Sequence, residues 1–132
     1  MNKPVSALVA SATAAANQEA KQIMADVEGI QAVVIATADG FDVASQTREG
    51  IDPERIAAMA SSIAAISQVV SHEAQLGRSR SVTIDTDAGF AVVYNIHRSD
   101  IDLVINVVAN ERALLGQVIY RTAAAARMLA EV

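Results

Sequence analysis

The stretch from residue 53 to residue 76 (PERIAAMASSIAAISQVVSHEAQL) contains no glycine and has almost no polar side. Asp52 precedes Pro53, and this pair is typical of a helix N-terminus, where a carboxylate caps free N–H groups and proline has none to lose. Gly77 follows at the place where a left-handed helix cap is expected. The stretch therefore predicts one long helix, and a helix this apolar must be covered on more than one side.

Large apolar residues form one stripe along this predicted helix, and small residues form both flanks. The stripe, which we predict to be the core face, consists of Ile56, Met59, Ile63, Ile66 and Val70. One flank consists of Ala57, Ala60, Ala64, Ser67 and Ser71, and the other of Ala58, Ser62, Ala65 and Val69. Because small residues let another backbone come close, we expect one side to pack on a sheet and another on a partner subunit. The alternative is a central helix that is buried inside its own domain.

Strand-like and helical patterns fill the rest of the chain. Runs of β-branched or alternating residues predict strands at residues 30–37, 41–46, 81–85, 90–96 and 101–109. Helical spacing predicts an alanine-rich first helix at residues 4–27 and a last helix at residues 111–130. In the last helix we expect Asn110 to be the N-cap and Gly116 to mark a close approach to another element. The predicted order is α-β-β-α-β-β-β-α.

Turn signals such as Asp39-Gly40 connect neighbouring strands as hairpins, so the sheet is predicted to be mainly antiparallel. The central helix then crosses between the two groups of strands. We predict an α/β fold of the α+β type with a five-stranded sheet. The long central helix lies on one face of the sheet and the two terminal helices lie on the other. A chain of 132 residues fits a single domain.

Composition limits the possible functions. Only 19% of the residues are charged, which is low for a small monomer and favours association. The net charge of −5 argues against nucleic-acid binding, and the nearest basic cluster is only Arg78 and Arg80. The chain has no cysteine, which excludes disulfides and thiolate chemistry and is compatible with a reducing compartment, so we expect a cytoplasmic location. No apolar run approaches the ~20 residues of a membrane span.

Residues that could support catalysis or metal binding are sparse. Asp85 and Asp87 flank a turn, where solvated carboxylates are expected rather than a metal site. His72 and His97 have no partner at a spacing that indicates a catalytic triad. No glycine-rich phosphate-binding motif is present. We therefore predict no catalytic residue, no metal and no cofactor.

Three segments carry a family resemblance. They are residues 33–45 (VVIATADGFDVAS), residues 81–96 (SVTIDTDAGFAVVYNI) and residues 101–129 (IDLVINVVANERALLGQVIYRTAAAARML). With the long helix between them, they resemble the roadblock family, which includes dynein light chains and bacterial proteins associated with Ras-like GTPases. The resemblance implies the same fold and a dimer formed through the central helix and the third strand. It nominates one flank of the helix together with the third strand as the dimer interface: Ala57, Ala60, Ala64, Ser67, Ser71, Ser81, Val82, Thr83 and Ile84.

The resemblance also implies a function. We expect a non-catalytic, homodimeric interaction module that regulates a small Ras-like GTPase or acts as its scaffold. Two alternatives are a small-molecule sensor on a similar antiparallel sheet and a dimeric adaptor of a larger complex without a GTPase. The opposite flank of the central helix is the other candidate for the dimer interface.

Overall fold

The computed structural model describes residues 8–132. Its eight elements occur in the predicted order: α1 (Ala10–Asp26), β1 (Ile30–Thr37), β2 (Asp42–Thr47), α2 (Pro53–Glu73), β3 (Ser81–Thr86), β4 (Gly89–Ile96), β5 (Leu103–Asn110) and α3 (Leu115–Glu131). The first residues of the predicted N-terminal helix, 4–7, lie outside the described residues.

The five strands form one antiparallel sheet in the order β2-β1-β5-β4-β3. The central strands β1 and β5 are buried along almost their whole length, in keeping with their apolar sequences. Helix α2 connects β2, at one edge, to β3, at the other edge, and therefore crosses the full width of the sheet. Within residues 8–132, strand β3 pairs with β4 alone, and it is mostly exposed.

The two faces of the sheet carry different helices, as the sequence predicts. Along β1, Ala32 and Val34 point to the α2 side. Val33 and Ile35 belong to the main core, which α1 and α3 cover from the other side. This alternation follows from the two-residue period of a strand. The fold is therefore a three-layer arrangement of α2, the sheet, and the pair α1 and α3.

The end of α2 differs from its prediction. The helix ends at Glu73, and Gln75 adopts a left-handed backbone conformation with φ of 59°. The N–H of Leu76 donates to the carbonyl oxygen of Ser71 at 2.8 Å, and the N–H of Gln75 donates to that of His72 at 3.1 Å. These two bonds form a Schellman cap. The prediction that Gly77 closes the helix is thus wrong, because Gln75 takes the left-handed position two residues earlier.

The start of α3 also differs from its prediction. Asn110 is the last residue of β5, and its side-chain oxygen accepts the N–H of Arg112 at 2.9 Å. A local turn therefore uses the side chain that was expected to cap the helix, and α3 begins at Leu115. Gly116 has no neighbouring atom within 4 Å of where a Cβ would stand. The predicted close approach at this glycine is wrong.

Ion pairs hold the terminal helices in place. Glu19 of α1 accepts two bonds from the guanidinium of Arg121 of α3, at 3.0 and 3.2 Å. The Arg98 side chain, only 4% exposed, binds Asp100 through two bonds of 2.8 and 2.9 Å and donates to the carbonyl oxygen of Leu129 near the end of α3. The Arg98 guanidinium holds the pKa of the Asp100 carboxyl well below its usual range.

Candidate interaction surface

The side of α2 that faces away from the sheet is an exposed apolar surface. Met59 is 50% exposed, Ile66 63%, Val69 62% and Val70 58%. No residue from 56 to 71 carries a charge. Single exposed apolar residues are common on proteins, but a contiguous group on one helix face indicates an interaction site.

The opposite side of α2 packs on its own sheet through alanines. Ala57, Ala60 and Ala64 are buried, the first among small residues of β1 and the other two against Val93 of β4 and Val104 of β5. The assignment of these three alanines to a partner-facing flank is therefore corrected. Small side chains here let the helix lie close to the sheet, which leaves the larger residues pointing outward.

The large apolar stripe is consequently divided between two environments. Ile56 is buried and Ile63 is half-buried, as expected for a core face. Met59, Ile66 and Val70 of the same predicted stripe are exposed, so the prediction that they lie in the core is wrong. Val69, from the flank that was the alternative candidate, joins them on the outer side.

Three of the four serines of α2 bond to their own helix. Ser61 and Ser62 donate their hydroxyls to the carbonyl oxygen of Ala58 at 2.9 and 3.2 Å, and Ser67 donates to that of Ala64 at 2.8 Å. Each hydroxyl is thus satisfied by its own helix and can be covered by a partner without losing its hydrogen bond. Ser62 and Ser67 are therefore less costly to desolvate than serines with free hydroxyls.

A groove joins the outer side of α2 to the edge strand β3. It has a volume of about 380 Å³, and Ile66, Val70 and Val82 contribute to its walls. Among the described residues, no strand pairs with the outer edge of β3. We refer to the exposed residues of α2 (Met59, Ile66, Val69 and Val70), half-buried Ile63 beside them in the groove, and residues 81–84 of β3 together as the α2–β3 surface.

Of the nine residues predicted for the dimer interface, six lie in the groove or along β3, and three are buried beneath α2. Four of them meet in the groove: Ser67, Ser71, Ser81 and Val82. Thr83 and Ile84 continue along exposed β3, whereas the three alanines lie beneath α2. The sequence analysis did not assign Met59, Ile66 and Val70 to an interface, and it included Val69 only in the alternative flank. Their helical spacing was visible, but spacing does not tell which neighbour covers a helix face.

The polar residues considered for catalysis do not assemble into a recognisable centre. His97 lies 3.6 Å from Asp102, measured from Nδ1 to Oδ2, at an exposed position. His97 and Asp102 line a small cavity together with Ser61, but the Ser61 hydroxyl donates to the helix backbone. Within residues 8–132, no three His, Asp or Glu side chains come together as a metal site would require. No helix in this range is both long and apolar enough to cross a membrane.

Comparison with known proteins agrees with this architecture. Residues 17–106 match the Roadblock/LC7 domain family. No curated protein sequence matches the chain.

Solved structures at low sequence identity share the fold. A Roadblock/LC7 domain from Streptomyces avermitilis has 17% identity and a TM-score of 0.76, over 86% of this chain and 92% of that one. MglB in a tetrameric arrangement has 17% identity and a TM-score of 0.78, over 93% and 90%. The gliding protein MglB from Thermus thermophilus has 16% identity and a TM-score of 0.78, over 93% and 91%. By its sequence match and its fold, the chain belongs to the Roadblock/LC7 family.

Proposed function

We propose that the protein is a non-catalytic interaction module that forms a homodimer through the α2–β3 surface. The observation that carries this proposal is the uncharged, apolar outer side of α2, which continues through a groove into an unpaired strand edge. A two-fold axis through this region brings the same surface of both copies together, as a symmetric dimer requires.

Both parts of the α2–β3 surface gain from such a contact. Burying the exposed area of Met59, Ile66, Val69 and Val70 contributes about 1 kcal/mol for each side chain on each copy. Strand β3 offers unpaired backbone groups that a second β3 can satisfy, which extends each five-stranded sheet across the axis. One contact therefore covers the apolar helix face and removes an open sheet edge.

A matched pair of variants tests the dimer. Ile66→Glu places a charge in the middle of the α2–β3 surface, and we expect sedimentation velocity at micromolar concentration to give a monomer. Tyr120→Glu makes the same kind of change at a residue of α3 that is 74% exposed. It should remain a dimer like the unmodified protein. A dimer that survives Ile66→Glu, or an unmodified protein that sediments as a monomer, would refute this interface.

We further propose that the dimer regulates a small Ras-like GTPase or serves as its scaffold in the cytoplasm. Support comes from family membership, from the GTPase association that the sequence resemblance implies, and from the structural similarity to MglB. The absence of cysteine is compatible with this location. The proposed mechanism is surface complementarity, in which the dimer offers a composite surface across its two-fold axis.

Pull-down with a small Ras-like GTPase tests the partner. The GTPase is loaded with GTP or with GDP, and we expect the dimer to retain one form more strongly than the other. Ile66→Glu should lose that retention if the composite surface is needed, while Tyr120→Glu should keep it. Equal and negligible retention of both forms would instead favour a dimeric adaptor without a GTPase.

A further inference from the structure

We propose that the cavity between α3, β4 and the segment before β3 is a binding site for a small organic anion. This cavity, called here the arginine pocket, has a volume of about 370 Å³. Arg78, Arg80 and Arg127 line it together with Tyr94 and His97, and no acidic residue takes part. The volume lies within the usual range for small-molecule sites.

The spacing of α3 residues explains why the cavity exists. Ala123, Ala126, Arg127 and Ala130 follow each other at intervals of three, one and three, so they share one face of the helix. Three of these four side chains end at Cβ and leave space between α3 and β4. Tyr94 and Ile96, two residues apart on one strand, form the floor of that space. The interior of the pocket is thus mainly apolar.

The segment that carries two of the arginines is fixed in place. Ser79 is buried between them, and its N–H donates to the side-chain oxygen of Gln68 at 3.1 Å. Its carbonyl oxygen accepts from the side-chain nitrogens of Gln68 at 3.2 Å and of Asn95 at 2.9 Å. The backbone that holds Arg78 and Arg80 is therefore positioned before any ligand arrives, which lowers the entropy cost of binding.

The charge of the pocket contrasts with that of the protein. Three of the ten Lys and Arg residues converge on one cavity in a chain whose net charge is −5. Across residues 8–132, Arg98 and Arg121 form ion pairs, and none forms at Arg78, Arg80 or Arg127. The acidic side chain beside a pocket residue is Asp102, 3.6 Å from His97. Guanidinium groups bind phosphate and carboxylate through paired hydrogen bonds. An apolar floor beneath such groups fits an anion that carries a flat apolar body.

Titration of the ¹⁵N-labelled 132-residue chain with 1-naphthyl phosphate tests the proposal by NMR. We expect saturable shifts at the amides of Tyr94, Ile96, Ala123 and Ala126. Inorganic phosphate and 1-naphthol each supply half of the proposed ligand chemistry, and both should bind at least about tenfold more weakly, because each uses only one part of the site. Shifts confined to the α2–β3 surface, or no saturable shift at the pocket, would overturn the proposal.

A matched pair of double variants tests the role of the arginines. Arg80→Gln/Arg127→Gln should weaken 1-naphthyl phosphate binding about tenfold. Arg55→Gln/Arg112→Gln changes the net charge equally at exposed positions outside the pocket and should alter affinity less than twofold. Equal weakening by both double variants would show an effect of net charge alone and would overturn the proposal.

Discussion

The two faces of the sheet are covered in opposite ways. On one face, α1 and α3 lie side by side and are joined by the ion pair Glu19–Arg121. Arg98, which is paired with Asp100, also donates to the carbonyl oxygen of Leu129 in α3. On the other face, α2 lies alone on a layer of alanines and turns its larger apolar residues outward. The first face is completed within one chain, whereas α2 on the second face keeps an exposed apolar outer side, which we propose that a second copy covers.

The largest expected effect comes from the sheet side of α2. Ala60→Asp places a carboxylate at a buried position against the apolar side chains of Val93 and Val104. We expect a loss of about 4 kcal/mol or more in the free energy of unfolding, or failure to fold. Urea unfolding followed by circular dichroism measures it. The same change at exposed Ala14 of α1 should cost about 0.5 kcal/mol, from helix propensity alone. Similar losses at both positions would contradict the burial of Ala60.

The next largest effect is expected on the sheet face that α1 and α3 cover. The low pKa of Asp100 in the folded state means that its ion pair stabilises the fold at neutral pH, where Asp100 is ionised in both the folded and unfolded states. This stability is lost as the pH falls below the unfolded pKa of about 4 and through the lower folded pKa. We expect Asp100→Asn to reduce the free energy of unfolding by about 2 kcal/mol at pH 7.

Urea unfolding of both proteins at pH 7 and pH 3 checks this prediction. The difference between the unmodified protein and Asp100→Asn should be smaller at pH 3 than at pH 7. Asp85→Asn provides the control, because Asp85 is exposed on β3 and should show little difference at either pH. An equal difference for Asp100→Asn at both pH values would contradict the role of the ionised carboxyl.

The smallest effect concerns α3 alone. Gly116 has open space around it and a backbone conformation that other residues adopt, so Gly116→Ala should raise the free energy of unfolding by up to about 1 kcal/mol. Thermal unfolding measures the gain. The position lies in the first turn of α3, away from the ion pairs and the α2–β3 surface, so the dimer should be unaffected. A loss of stability would mean that α3 is packed more closely here than the structure indicates.

Much of the fold could be predicted because each element has its own periodicity. The β-branched run at residues 30–37 identifies β1, and Asp52-Pro53 identifies the start of α2. The ends of the elements were harder to predict, because local hydrogen bonds determine where a helix or strand stops. Gln75 caps α2 before Gly77 can, and Asn110 forms a turn instead of starting α3.

The candidate sites were only partly predictable. Helical spacing groups Ala57 with Ala60, and Ile66 with Met59, but which group meets the sheet depends on how closely the helix approaches it. In the structure the alanines face the sheet, and Ile66 and Met59 are exposed. The arginine pocket could not be predicted, because Arg127 lies far along the chain from Arg78 and Arg80 and only the fold brings them to one cavity.

The central claim is that a dimer forms through the α2–β3 surface, and hydrogen exchange at β3 tests it most directly. The exchange reports on the β3 half of this surface, while the variant Ile66→Glu changes the α2 half. Amides of Ser81–Thr86 that do not bond to β4 should exchange slowly in the unmodified protein at concentrations where it is a dimer. In Ile66→Glu, a change on α2, the same amides should exchange rapidly while those of β1 and β5 stay protected. Equally fast exchange at the β3 edge in both proteins would contradict the account.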